Sequence, residues 1–162
     1  MINHILDIYK SSKFDFTDYA CPNDPLKRNF SDWVHYYRLK FAIAEAIKPS
    51  SILEIGVRYG YSAYSFLSAC PNSKYTGVDL DSDTFGGVKK SIEWAKSKLC
   101  NYEVDFILED SQQIYELPFD KYDLFHIDGQ QDGGGTYKDL ELAFHYSEWV
   151  LLDGYHWSSQ NY

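Results

Sequence analysis

The sequence predicts an α/β fold, with a parallel sheet doubly wound by helices on its two faces. Two observations carry this prediction. Five short apolar runs alternate with segments of helical periodicity, and no repeat or low-complexity stretch interrupts them. The runs are also too continuously apolar for strands with one solvated face, which marks strands covered on both sides and joined by right-handed crossovers.

The elements follow in order. Residues 1–30 read as an N-terminal extension: a short helix, then "FDFTDYACPNDPLKRNF", whose Pro22, Asn23, Asp24 and Pro25 mark irregular chain. Ser31 is suited to cap a helix, and from there Trp33, Tyr36, Leu39, Ile43 and Ile47 recur at helical spacing until Pro49 ends the pattern. The strands are "SILEIG" at 51–56, "KYTGVDL" at 74–80, "YEVDFILED" at 102–110, "YDLFHID" at 122–128 and "EWVLLDG" at 148–154. Further helices are expected at about 61–70, 87–99, 111–116 and 136–146. The main domain therefore occupies residues 31–162.

At 162 residues, 44% hydrophobic and 18% aromatic, the chain can bury one core and is short for two. The formal net charge is −9, and the 15 Lys and Arg are dispersed. Nucleic acid is an unsuitable partner for such a chain, because binding a polyanion needs clustered cations. Cys21, Cys70 and Cys100 are odd in number and far apart, fitting neither a disulfide framework nor a zinc site. No apolar run approaches the roughly 20 residues of a membrane span, and "MINHILDIYKSSKFDF" lacks the marks of a signal peptide. The expectation is a cytoplasmic protein with a small-molecule partner.

In such sheets ligands bind beyond the carboxyl ends of the strands. Here an acid stands near the end of every strand: Glu54, Asp79, Asp110, Asp128 and Asp153. Capping of the next helix explains Asp81, Asp83 and Ser111 equally well, whereas Asp79, Asp128 and Asp153 point to a ligand. After the first strand come Gly56 and Gly60, and the place where a dinucleotide's pyrophosphate would approach a glycine is Val57-Arg58. A diphosphate is disfavoured, and a nicotinamide dehydrogenase with it. The turn should be open at Gly56 for a ligand, and the helix start near Gly60 to Ser62 is suited to a carboxylate. Asp79 lies 23 residues beyond Gly56, where a carboxylate can take ribose hydroxyls. Ribose plus an amino-acid carboxylate, without phosphate, describes S-adenosylmethionine.

The run E-x-G-x-x-x-G at 54–60, followed by "YTGVDLD", "FILEDSQQ", "YDLFHIDGQ" and "WVLLDG", resembles the class I S-adenosylmethionine-dependent methyltransferases over about residues 32–156. The likeness is to small-molecule O-methyltransferases similar to the catechol and macrolide-sugar enzymes. It implies a Rossmann-like sheet of order 3-2-1-4-5 that lacks the family's last two strands. It implies that Glu54, Gly56 and Gly60 form the turn around the methionine part, that Asp79 holds the ribose, and that Asp110, Ser111 and Gln112 border the adenine. Asp128 matches the acid beside the transferred methyl group, which binds a divalent cation such as Mg2+ in metal-dependent members. Those members end the fifth strand with Asp-Asn or Asp-Asp, but here Gly154 follows Asp153. A cation on Asp128 and Asp153 would need waters, substrate oxygens or Asp132 to reach about six oxygens.

The expected reaction is methyl transfer to an oxygen of a small molecule such as a sugar or phenol, with Asp128 and His156 as catalytic candidates. The alternative is a cofactor-binding domain or fragment without chemistry. Asp79→Ala is expected to weaken cofactor binding and leave the fold intact. In "DGQQDGGGTYKDLELAFHY", Gly133 to Gly135 make a pliable, substrate-gating loop, and Thr136 caps a helix that turns Tyr137, Leu140 and Phe144 inward. His126, inside a strand, is read as a packed residue. The apolar fifth strand, with an open edge, predicts either a fragment of a longer protein or a homodimer through that edge or the tail "YHWSSQNY".

Overall fold

The computed structural model describes residues 1–154. Its elements are α1 (Ile2–Ser11), α2 (Phe30–Ile47), β1 (Ser51–Ile55), α3 (Tyr61–Ala69), β2 (Lys74–Val78), α4 (Ser91–Lys98), β3 (Val104–Ile107), β4 (Tyr122–Ile127), α5 (Gly134–Tyr146) and β5 (Ser147–Leu152). The five strands form one sheet of order β3-β2-β1-β4-β5, with every neighbouring pair parallel, as expected.

Strand residues alternate between two apolar layers, the period-two consequence of the pleat. On one face Ile52, Tyr75 and Leu124 pack with Phe66 and Leu67 of α3 and with Ile92 and Ala95 of α4. On the other, Leu53, Ile55, Val78, Phe125 and Ile127 pack with Ala143 of α5. Glu54 shares the parity of Ile52, and the register sets it level with Gly77 on β2 and His126 on β4.

The N-terminal segment contributes to the first layer. Phe16, Tyr19 and Cys21 are buried in it, and Phe16 meets the rings of Phe30, Tyr37 and Tyr61. The Tyr19 hydroxyl donates to the Tyr59 carbonyl at 2.9 Å.

Several local expectations change. Helix α2 begins at Phe30, straight out of a 3₁₀ turn at Lys27–Asn29, so Ser31 is inside the helix and caps nothing. The helix expected at 87–99 starts at Ser91, because Phe85, Gly86 and Lys90 take left-handed backbone angles. The helix expected at 111–116 is one 3₁₀ turn, Ser111–Gln113, after which Ile114 is extended. Helix α5 starts at Gly134, so Thr136 lies within it and its hydroxyl donates to the Gln130 carbonyl. Its inward face is Gly135, Thr136, Asp139 and Ala143, with Leu140 packed on the second layer as expected; Tyr137 and Phe144 are instead 64% and 71% exposed. On β5, Glu148 and Trp149 are exposed and Val150 to Leu152 half-buried, Leu151 against the first layer and Val150 and Leu152 against the second, so each face of this strand is covered only in part. Among the described residues it pairs with β4 alone. No described helix is long and apolar enough to cross a membrane.

Candidate active site

The parallel sheet brings the strand-end carboxylates to one edge. The β1–α3 turn there is built from left-handed residues, with φ of +87° at Gly56, +51° at Arg58 and +77° at Gly60. Such a turn points successive amides inward as an anion nest. Its occupant is Asp79: Oδ2 accepts from the Val57 and Arg58 amides, each at 2.8 Å, and Oδ1 from the Asp81 amide at 2.6 Å. Of a carboxylate's roughly four acceptor positions, the chain itself uses three. One remains on Oδ1.

Gly56 is not open space. A Cβ there would lie 2.1 Å from the Asp128 carbonyl oxygen, so the glycine lets the turns after β1 and β4 touch. Gly60 is similarly enclosed, 2.7 Å from the Tyr19 hydroxyl by the same measure. The side chain of Arg58 leaves the turn to form a two-pronged pair with Asp24 at 2.8 and 3.0 Å, and Tyr61 donates to the same carboxylate.

Behind this turn lies a buried polar chain. Glu54 is 1% exposed; it accepts from the Tyr75 hydroxyl and stands 3.0 Å from His126 Nδ1. Burial pushes its carboxyl up to about 7, against the pull of the Lys40 ammonium. Burial and the Lys40 charge push the His126 imidazole well below its ordinary range. His126 Nε2 faces Asp153 Oδ2 at 3.6 Å. Lys40, 4% exposed on α2, reaches Asp153 Oδ2 and Ser62 Oγ at 2.7 Å each, with Asp128 Oδ2 at 3.7 Å. Burial raises the carboxyls of Asp128 and Asp153, the latter to about 6.

His126, Asp128 and Asp153 offer one ligand atom each within 4.8 Å of one another, the separation a cation site requires. A divalent cation does not fit there, because the Lys40 ammonium already stands between the two carboxylates. Asp132, one of the groups expected to complete such a shell, is engaged by the Gln130 side chain and the Gly135 amide.

The residues after β3 turn toward α5. Asp110 caps the 3₁₀ turn by accepting from the Gln112 amide at 3.0 Å. The Gln112 side chain donates to Ser111 Oγ, to the Gly135 carbonyl and, at 2.9 Å, to Asp139. Burial raises the carboxyl of Asp139 to about 6. Asp128 is steadied by Gln131, whose amide donates to Oδ1 at 3.2 Å. His156 lies outside the described residues, as does the tail from Tyr155 onward.

The edge thus brings together Glu54, Asp128 and Asp153, and sets Asp79 with Gly56 and Gly60 in the neighbouring turn; Asp110, Ser111 and Gln112 form a separate group against α5. Sequence reasoning missed Lys40, Asp24 and Asp139, and it named Ser62 as part of a helix start for a ligand carboxylate, whereas the Ser62 hydroxyl accepts from Lys40. A signal for Lys40 existed: Trp33, Tyr37, Lys40, Ala44 and Ile47 also recur at helical spacing, and a lysine in an inward stripe needs a buried partner.

A family model described as a methyltransferase domain matches residues 53–159, more than half of the chain. The chain belongs to this methyltransferase-domain family. Solved methyltransferases share its fold. The SAH-bound methyltransferase PaMTH1 of Podospora anserina is 17% identical, with a TM-score of 0.57 over 93% of this chain and 62% of that one. CalS11, a TDP-rhamnose 3'-O-methyltransferase of calicheamicin biosynthesis, is 17% identical, with a TM-score of 0.56 over 94% of this chain and 76% of that one. The SAM complex of the O-methyltransferase TomG of Streptomyces achromogenes is 17% identical, with a TM-score of 0.51 over 85% and 66%. The methyltransferase-domain chain thus spans less than two thirds of the length of PaMTH1. Among curated protein sequences nothing matches it.

Proposed function

We propose that this methyltransferase-domain chain binds S-adenosylmethionine at the carboxyl edge of the sheet and methylates an oxygen of a small molecule, such as a sugar or a phenol. The observation that carries the reading is the family match: it covers residues 53–159, the stretch that supplies all five strand-end acids. The electrostatics support it. Asp128 and Asp153 flank a single lysine, and this excess of carboxylate suits a sulfonium ligand. The turn's amides are filled by Asp79, which supports a ligand without a diphosphate.

The donor, when bound, supplies a methyl group already activated by the sulfonium. The chain has to align the acceptor and receive its proton. Asp79 Oδ1 retains one acceptor position for a ribose hydroxyl, and Asp110, Ser111 and Gln112 are proposed beside the adenine. Glu54, Gly56 and Gly60 shape the methionine end from beneath, through the turn they hold. Asp128, half-buried and oriented by Gln131, takes the acceptor's hydroxyl proton. His156 is the second candidate base. The loop from Gly129 to Gly135 is the proposed gate over the acceptor.

The same reading includes a cytoplasmic setting, consistent with three free cysteines, and a homodimer through the side of β5 that no described strand pairs, where Trp149 is 40% exposed. The decisive experiment is calorimetry with S-adenosylhomocysteine, followed by a methyl-transfer assay on sugars and phenols. Binding with turnover is expected; binding without turnover leaves a cofactor-binding domain, and no binding removes the proposal.

A further inference from the structure

We propose that the Lys40 ammonium is the resident cation of the Asp128 and Asp153 pair, a covalently attached charge standing where a divalent ion would otherwise bind. The three-point cluster His126, Asp128 and Asp153 has the donor set and spacing of a metal site. Lys40 nevertheless reaches it from α2, across 113 residues of sequence from Asp153.

The lysine is held by its surroundings. Two of its N–H groups are directed to Asp153 Oδ2 and Ser62 Oγ at 2.7 Å, and Asp128 Oδ2 lies at 3.7 Å. The rings of Tyr36 and Tyr37, four and three residues earlier on α2, place their centroids 4.3 and 5.5 Å from Nζ, so the ammonium lies between carboxylates and aromatic faces. A magnesium or manganese ion on Asp153 would sit about 2.1 Å from the same oxygen, a second and stronger cation beside a buried one. It would also have to shed water to enter, whereas the lysine is delivered by folding.

This has a consequence for the acceptor, which rests on the methyltransferase reading. Without an ion to chelate, the acceptor needs one hydroxyl presented to Asp128, not two adjacent oxygens. Monohydroxy acceptors should then turn over as readily as vicinal diols.

The test is Mn2+ binding by the 162-residue chain, followed by electron paramagnetic resonance. The wild type is expected to show no saturable binding, Lys40→Met to bind Mn2+ saturably, and Asp153→Asn added to Lys40→Met to abolish that binding. Lys40→Gln, which keeps a donor for Asp153, replaces the methionine variant should that one fail to fold, and is likewise expected to bind Mn2+ saturably where the wild type does not. Saturable binding by the wild type that Asp153→Asn removes would overturn the proposal, as would a folded Lys40 variant that binds no Mn2+. Binding of S-adenosylhomocysteine with and without EDTA separates this from the function itself. Equal affinities are expected, and no binding at all would remove the function while leaving the Mn2+ result in force.

Discussion

Glu54 on β1 and His126 on β4 lie side by side in the core, Oε1 and Nδ1 3.0 Å apart, because the parallel register makes them partners. The pair joins the strand-end site to the interior through the Tyr75 hydroxyl. It also makes stability depend on pH. The native Glu54 carboxyl keeps its proton up to about pH 7, whereas the unfolded one releases it near 4.5. Between those values the unfolded chain binds fewer protons, so stability falls as pH rises through the window, by about 3 kcal/mol in total at 1.36 kcal/mol per pKa unit.

Glu54→Gln should therefore flatten the curve. His126 acts in the opposite direction, since its imidazole stays neutral in the native state and gains a proton on unfolding below about 6.5. Lys40, which burial pulls below its ordinary value, and Asp128 both feel the Glu54 charge, so the difference between wild type and variant reports Glu54 together with these neighbours. Thermal unfolding from pH 5 to 8 measures it. Parallel curves for the two proteins would show that Glu54 does not hold its proton in the fold.

Asp79 joins binding to structure. Its alanine variant strands the amides of Val57, Arg58 and Asp81, so it should lose about 2 kcal/mol or more of stability together with at least tenfold in affinity for S-adenosylhomocysteine. The expectation from sequence was weaker binding with the fold intact; the three amides held by Asp79 add a stability cost to it. Asp79→Asn keeps one acceptor oxygen and should fall between the two. An alanine variant with wild-type melting and reduced affinity would assign Asp79 to the ligand alone.

Two glycines should respond oppositely to alanine. Gly56→Ala places a methyl group 2.1 Å from the Asp128 carbonyl at a φ of +87°, and should destabilise by well over about 1 kcal/mol while displacing Asp128. Gly134, in the first turn of α5, has nothing within 4 Å of a Cβ, and its alanine variant should be stabilised by about 0.4–1 kcal/mol. Chemical denaturation of both decides whether close approach of the two turns explains Gly56.

The Asp24 and Arg58 pair should tie the N-terminal segment to the β1 turn. Asp24 is 1% exposed, so Asp24→Ala leaves a guanidinium largely without its partner and should cost about 3 kcal/mol. Limited proteolysis is expected to cut between residues 12 and 30 sooner in the variant. Unchanged cleavage and unchanged melting would make residues 1–30 the separable extension that their composition suggests.

The strands and the row of carboxylates were legible because each rests on short-range pattern, whereas the strand order came only with the family resemblance. Continuous apolar runs and turn residues set the strands to within a few residues, and a parallel sheet carries every strand end to the same edge however far apart the ends lie in sequence. Helix faces were less legible: on α5, Tyr137 and Phe144 follow an apolar stripe, yet they point to solvent, because the packing of small Thr136, Asp139 and Ala143 against the sheet set the rotation. Lys40 was not legible as part of the site. One charge in an apolar stripe gains meaning only when Asp153 arrives beside it, and that contact spans 113 residues. The filling of the turn by Asp79, the packing against Gly56 and the burial that raises the acids are likewise properties of three-dimensional closure. Periodicity is a local quantity, whereas desolvation and charge pairing depend on which distant groups exclude water together, and the tertiary structure alone decides that.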